Sequence, residues 1–172
     1  MIAPSKISVI VNRDGTDNQA LLDSVAASWR GLGYAVVGVL AELQSEDAAC
    51  SAGFLRDLVS GRRFSMALDQ APAGSSCHLD TDGVGAACMQ LLPQIPASDV
   101  IVLSKFGKLE AGQQGLWEAF AEGIGHAKPL LTTVSAKHVD ALKAAMPSVA
   151  WLDPDPLSLA DWVNAVAPRV AA

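Results

Sequence analysis

Apolar and polar positions along the chain follow two periods, and their alternation sets out the elements. Ile7-Ser8-Val9-Ile10-Val11 is a β-rich run closed by the turn-forming cluster Asn12-Arg13-Asp14-Gly15, which predicts a strand running into a loop. Behind it Leu21, Leu22, Val25, Ala26, Trp29 and Leu32 recur at helical spacing, with Thr16 or Asp17 as N-cap and Gly33 as the stop. Ala35 to Leu40 is a second apolar strand, so the start of the chain reads as a βαβ unit with parallel strands. Phe54 to Val59 and Phe64 to Leu68 flank Ser60-Gly61 and predict an antiparallel hairpin.

Ala71 to Ser76 is a Pro/Gly/Ser-rich loop that leads to a helix from Thr81, its N-cap, to about Leu92, ended by Pro93 and Pro96. Val100-Ile101-Val102-Leu103 is a continuous β-branched run of the kind buried on both faces of a parallel sheet. A helix over Gln114–His126, a strand over Leu130–Val134, a helix over His138–Met146, a short strand over Val149–Leu152 and a helix over Leu157–Val166 complete the pattern. The alternation predicts an α/β fold: a mainly parallel sheet with helices on both faces and a small antiparallel hairpin insertion. Without internal repeats or linkers, residues 1–172 read as a single domain, as the length also suggests.

Composition narrows the function. With 51% hydrophobic residues, 17% charged and a mean hydropathy of +0.30, the chain holds enough apolar material to fold. A net charge of -6 and a pI near 4.9 speak against nucleic acid and anionic membranes as partners, so any anion site has to be local. The apolar runs fall short of the roughly 20 residues of a membrane span and no secretory leader pattern is present, which predicts no membrane insertion and a cytoplasmic location. Cys50, Cys77 and Cys88 form neither an even set nor a Cys-x-x-Cys pair, so reduced thiols are expected.

Ligands of such sheets lie beyond the carboxyl ends of the strands. That rule selects two loops, Asn12–Gln19 and Ser104–Gln114, and expects them to face one crevice. The first, with Arg13, Asp14, Gly15, Thr16, Asn18 and Gln19, leads into a helix N-terminus, where free N–H groups and the helix dipole favour an anion. A plain capped βα turn is the alternative. A P-loop of the form G-x-x-x-x-G-K-[ST] is not matched, because Asn18 stands where the lysine would be and Gln19 where the hydroxyl would be.

The second loop carries Lys105, Gly107, Lys108 and Glu110 directly after the buried strand. Its lysines offer the charge that a tetrahedral dianion such as molybdate, tungstate, sulfate or phosphate needs, unless they are simply solvated. Glu110 either pairs with one of them or caps the segment that follows. Cys77, His78 and Asp80 are candidate ligands of a soft or borderline metal; otherwise Cys77 is a small buried hydrophobe and Asp80 a helix cap. His126 and His138 read as surface or capping residues, and Trp29, Trp117, Trp151 and Trp162 as core.

The run Asp99-Val100-Ile101-Val102-Leu103-Ser104-Lys105-Phe106-Gly107-Lys108-Leu109-Glu110-Ala111, with Cys77-His78-Leu79-Asp80 before it and Gly115-Leu116 after, resembles the bacterial DUF2478 family over the whole chain. That family in turn looks like a degenerate relative of P-loop nucleoside-triphosphatases of the THEP1 type, whose first βαβ unit ends in Gly-Tyr-x-Val-x-Gly and whose second motif reads Asp-Glu-Ile-Gly-x-Met-Glu. Gly33-Tyr34-Ala35-Val36-Val37-Gly38 matches the former. Phe106, Gly107, Leu109 and Glu110 fit the latter, whereas Ser104 and Lys105 stand where the acidic pair would hold magnesium. The resemblance implies a P-loop-NTPase-like fold that binds an oxyanion or nucleotide without hydrolysing it, in association with molybdate or tungstate transport. Two alternatives remain open. One is a phosphohydrolase with Asp14, Asp17 or Asp80 on magnesium and Lys105 or Lys108 replacing the missing lysine. The other is an interaction module whose apolar helices form a homo-oligomer around a relic site.

Overall fold

The computed structural model describes residues 3–13, 16, 18–42, 53–66 and 81–168. Its centre is a sheet built from β1 (Ile7–Asn12), β2 (Val36–Glu42), β3 (Phe54–Asp57), β4 (Arg63–Ser65), β5 (Val100–Leu103), β6 (Leu130–Ser135) and β7 (Ala150–Trp151), in the order β4-β3-β2-β5-β6-β1-β7. The five strands from β2 to β7 along this order pair in parallel, and β3 and β4 extend the β2 edge antiparallel, as the hairpin signal predicted. β1 and β2 run parallel yet are not neighbours, because β5 and β6 lie between them.

The β-branched run of β5 is buried at every residue, since helices cover both sides of it. One face carries α1 (Gln19–Gly31) and α6 (Pro156–Val166), which pack Leu22, Val25, Ala26, Trp29, Leu159, Trp162 and Val163 onto Ile10, Val36, Val100 and Val102. The other carries α2 (Thr81–Leu91), α4 (Trp117–Gly125) and α5 (Val139–Ala145), whose Leu91, Phe120 and Leu142 meet Val9, Ile101 and Leu103. Trp29 and Trp162 are core residues as expected, but Trp151, on the edge strand β7, is 41% exposed and lies under Lys143.

Both glycines of the Gly33-to-Gly38 run have physical causes. Gly33 ends α1 with φ +97, the left-handed conformation of a helix stop. Gly38 has φ +150, and a Cβ there would overlap the carbonyl oxygen of Val102 on β5. The hairpin is held by Asp57, whose buried carboxylate accepts from the Val59 and Ser60 N–H groups at 3.1 and 2.8 Å and from Gln94 Nε2 at 2.9 Å.

Two helix starts differ from the pattern. Thr16 does not begin α1, which starts at Gln19 with Asn18 in the cap position; Thr16 turns its hydroxyl to the Arg13 carbonyl at 2.6 Å instead, and Asp17, the other expected cap, lies outside the described residues. The helix expected over Gln114–His126 is α4, starting three residues later, and it is preceded by an unexpected single turn, α3 (Lys108–Ala111). Between them Gln113 and Gly115 take φ +60 and +63, which no helix continues. Among the described residues no helix is long and apolar enough to cross a membrane.

Candidate functional site

The parallel strands end on one edge, and there Gln19 of the first selected loop reaches the backbone of the second at Ser104. Asn12, the last residue of β1, accepts a hydrogen bond from Asn18 Nδ2 at 2.7 Å and donates from Nδ2 to Thr133 Oγ1 on β6 at 3.1 Å. Thr133 Oγ1 donates in turn to the Ser104 carbonyl oxygen at the end of β5, at 2.8 Å. Gln19 reaches the same oxygen through Nε2 at 2.8 Å, while its Oε1 accepts from the Ala41 N–H of β2 at 2.9 Å. Four strand ends and the first turn of α1 thus share one polar network. Asn18 makes no side-chain cap on its own helix and directs its Nδ2 to Asn12.

Beyond Ser104 the chain leaves the sheet. Phe106 remains buried, bridging to Val134 and donating its N–H to the Thr133 carbonyl at 2.8 Å, with its ring edge-on to Phe120 at 5.8 Å. Lys105 and Lys108 on either side are exposed, and the aliphatic stem of Lys105 lies over Gly107. Burying Phe106 therefore turns both lysines outward at the strand end.

Glu110 settles its two options. It is 5% exposed, and its carboxylate accepts from the Gly107 and Leu116 N–H groups, each at 2.9 Å. Burial raises its pKa above the ordinary carboxyl range, against the lowering influence of those amides and of the Lys105 charge. Glu110 caps the loop and pairs with neither lysine through a direct ion pair. Gly115 makes room for it: a Cβ there would collide with Glu110 Oε2.

Of the predicted site residues, Asn18, Gln19, Lys105, Gly107 and Lys108 belong to this edge, and Arg13 and Thr16 form a tight turn leading to it, with Thr16 N–H on Arg13 O at 2.9 Å. Asp14, Gly15 and Asp17 lie outside the described residues, as do Cys77, His78 and Asp80. His126 sits at the C-terminus of α4 beside Glu122, 3.3 Å away, and His138 precedes α5, in keeping with their expected positions. Thr133 and the Ala41 amide were not foreseen. The signal for Thr133 is a hydroxyl at a buried position near the carboxyl end of β6.

The described residues do not suit magnesium. That ion takes oxygen ligands, typically carboxylates, whereas Gln19 brings an amide already bonded on both sides and Ser104 and Lys105 bring no carboxylate. Among the described residues, no group of three or more His, Cys, Asp or Glu side chains could hold a metal ion.

The family pattern described as "Protein of unknown function (DUF2478)" matches residues 7–162. The chain belongs to this DUF2478 family. A molybdenum import ATP-binding protein, ModC 2 of Bradyrhizobium diazoefficiens, is 29% identical over 142 residues, 81% of this chain but 16% of that protein, so the chain spans a small part of its curated relative. The solution structure of a human cancer-related nucleoside triphosphatase superposes with a TM-score of 0.67 at 17% identity, over 98% of this chain and 100% of that one. The fold of this DUF2478 member is therefore that of the human nucleoside triphosphatase.

Proposed function

We propose that the chain binds an oxyanion at the carboxyl-terminal edge of β1, β5 and β6 and does not hydrolyse it. The ligand is a tetrahedral dianion such as molybdate or tungstate, or the phosphates of a nucleotide. The observation that carries this reading is the Gln19 bridge. Where a P-loop presents a hydroxyl to magnesium, this chain has an amide occupied by Ser104 O and Ala41 N–H. A magnesium ligand is thereby replaced, while the positive charge of Lys105 and Lys108 next to the network remains. The fold likeness and the molybdenum import protein among the relatives support the choice of ligand class.

Calorimetric titration with molybdate, tungstate, sulfate and ATP, paired with a phosphate-release assay, tests it. Binding without release is the expected result. Release of phosphate from ATP would favour the phosphohydrolase that the fold likeness also suggests, and silence towards every ligand would leave an interaction module. The Lys105→Ala/Lys108→Ala variant is expected to bind about tenfold more weakly, a loss of about 1.4 kcal/mol; unchanged affinity would overturn the site.

A further inference from the structure

An imidazole stands near Lys105. His138 follows the turn after β6, and its Nδ1 lies 3.1 Å from Ser135 Oγ. Ser135 is the last residue of β6 and pairs in register with Asn12, so this contact sits on the same edge as the network above. Burial is the first cause that lowers the His138 pKa, followed by the charges of Lys137 and Lys105. Lys108 and Glu110 on α3, and Asp140 and Lys143 on α5, are the other charged groups of the elements packed around it. Of the two carboxylates among these, Glu110 is turned to the Gly107 and Leu116 amides, and neither Lys105 nor Lys137 has an ion pair among the described residues. In a chain of net charge -6, two lysines and an imidazole gather here without a carboxylate bonded to them.

We infer that Ser135, Lys137 and His138 form, with Lys105, a second wall of the anion site, and that the His138 ring takes up one proton from solvent when a dianion binds. The inference rests on the oxyanion-binding reading and adds residues to it. Partial burial, and after it the charges of Lys137 and Lys105, disfavour the imidazolium when no anion is bound. A dianion among them reverses that preference. Once protonated, the ring donates from both nitrogens, Nδ1 to Ser135 and Nε2 to the guest. By linkage, affinity rises as pH falls through the interval between the ring's loaded and empty pKa values.

Calorimetry with sulfate and with molybdate, whose charge is constant near neutrality, at roughly pH 6 and pH 8 spans the range in which imidazole titrates. A one-unit rise in the ring's pKa caps the gain at about tenfold, reached only below the empty ring's pKa, so the wild-type chain is expected to bind about two- to fivefold more tightly at the lower pH. The gain should be absent in His138→Gln, and Lys137→Ala should weaken binding at both pH values. Equal affinity at the two pH values, or a gain that survives in His138→Gln, overturns this inference alone. No binding at either pH overturns it together with the oxyanion-binding reading.

Discussion

Gln19, in the first turn of α1, donates to the carbonyl oxygen of Ser104 at 2.8 Å, although β6 separates the strands that lead to these two residues. The same side chain accepts from Ala41 on β2, so one amide ties three segments at the site. Gln19→Ala is expected to cost about 1–3 kcal/mol, the range for leaving a half-buried polar partner unpaired. Gln19→Glu is expected to cost more, because a carboxylate facing Ser104 O has no hydrogen to give. Urea denaturation of the two variants checks the order; a Glu variant as stable as wild type would remove the donor role.

Glu110 makes stability depend on pH with a definite sign. Its carboxyl pKa is raised by burial, so the folded state holds the proton more tightly than the unfolded chain does. That contribution is complete below the ordinary value of about 4.3 and is lost as pH rises through the raised one. The stability of wild type relative to Glu110→Gln should therefore fall with rising pH across that interval, read from urea midpoints. A flat difference would mean that the carboxyl titrates normally. Glu110→Ala should be less stable at every pH, by about 1–3 kcal/mol for each buried N–H, Gly107 and Leu116, left without an acceptor.

The two glycines with positive φ and crowded surroundings should differ in cost. A methyl group at Gly38 meets the backbone of Val102 in the centre of the sheet, and neither strand can yield without breaking the ladder. Gly38→Ala should therefore lose on the order of 4 kcal/mol or more. At Gly115 the methyl meets a carboxylate on a side chain, so Gly115→Ala should lose about 1–3 kcal/mol and displace Glu110. Thermal melting of both variants ranks them; the reverse order would contradict the close approach of β2 and β5.

The strands were legible because burial on both faces demands β-branched runs: Val100–Leu103 stands in the structure with the predicted bounds. Helix starts were less so. Thr16 has the chemistry of a cap but spends its hydroxyl on Arg13, and Asn18 in the cap position spends its amide on Asn12, contacts that local sequence does not reveal. α3 was missed because Lys108-Leu109-Glu110 looks like solvated loop. The carboxylate of Glu110 is buried for reasons found six residues later, at the Leu116 amide. The strand-end rule pointed to the Gln19 and Lys105 loops, whereas the bond between Asn12 and Thr133 spans 121 positions, a partnership local sequence does not reveal.

Phe106 links this edge to the core. Its ring packs against Phe120 and Trp117 while its N–H holds β6, so Phe106→Ala should cost about 3–5 kcal/mol. Phe106→Leu, which keeps most of the volume, should cost less than about 1.5 kcal/mol. Circular dichroism melts give the stabilities. Calorimetry on the Leu variant should show oxyanion affinity retained, and its loss would tie ligand binding to the aromatic ring itself.

The strand β6 also sets a length. With one strand between them, β1 and β5 end two ladder spacings apart, roughly 10 Å. A lone tetrahedral ion is shorter than that span and touches both banks only through outstretched side chains, whereas a chain of linked phosphates crosses it by its own reach. The order of the strands in the sheet thus fixes the width of that edge, which is the span a guest of the proposed oxyanion site has to meet.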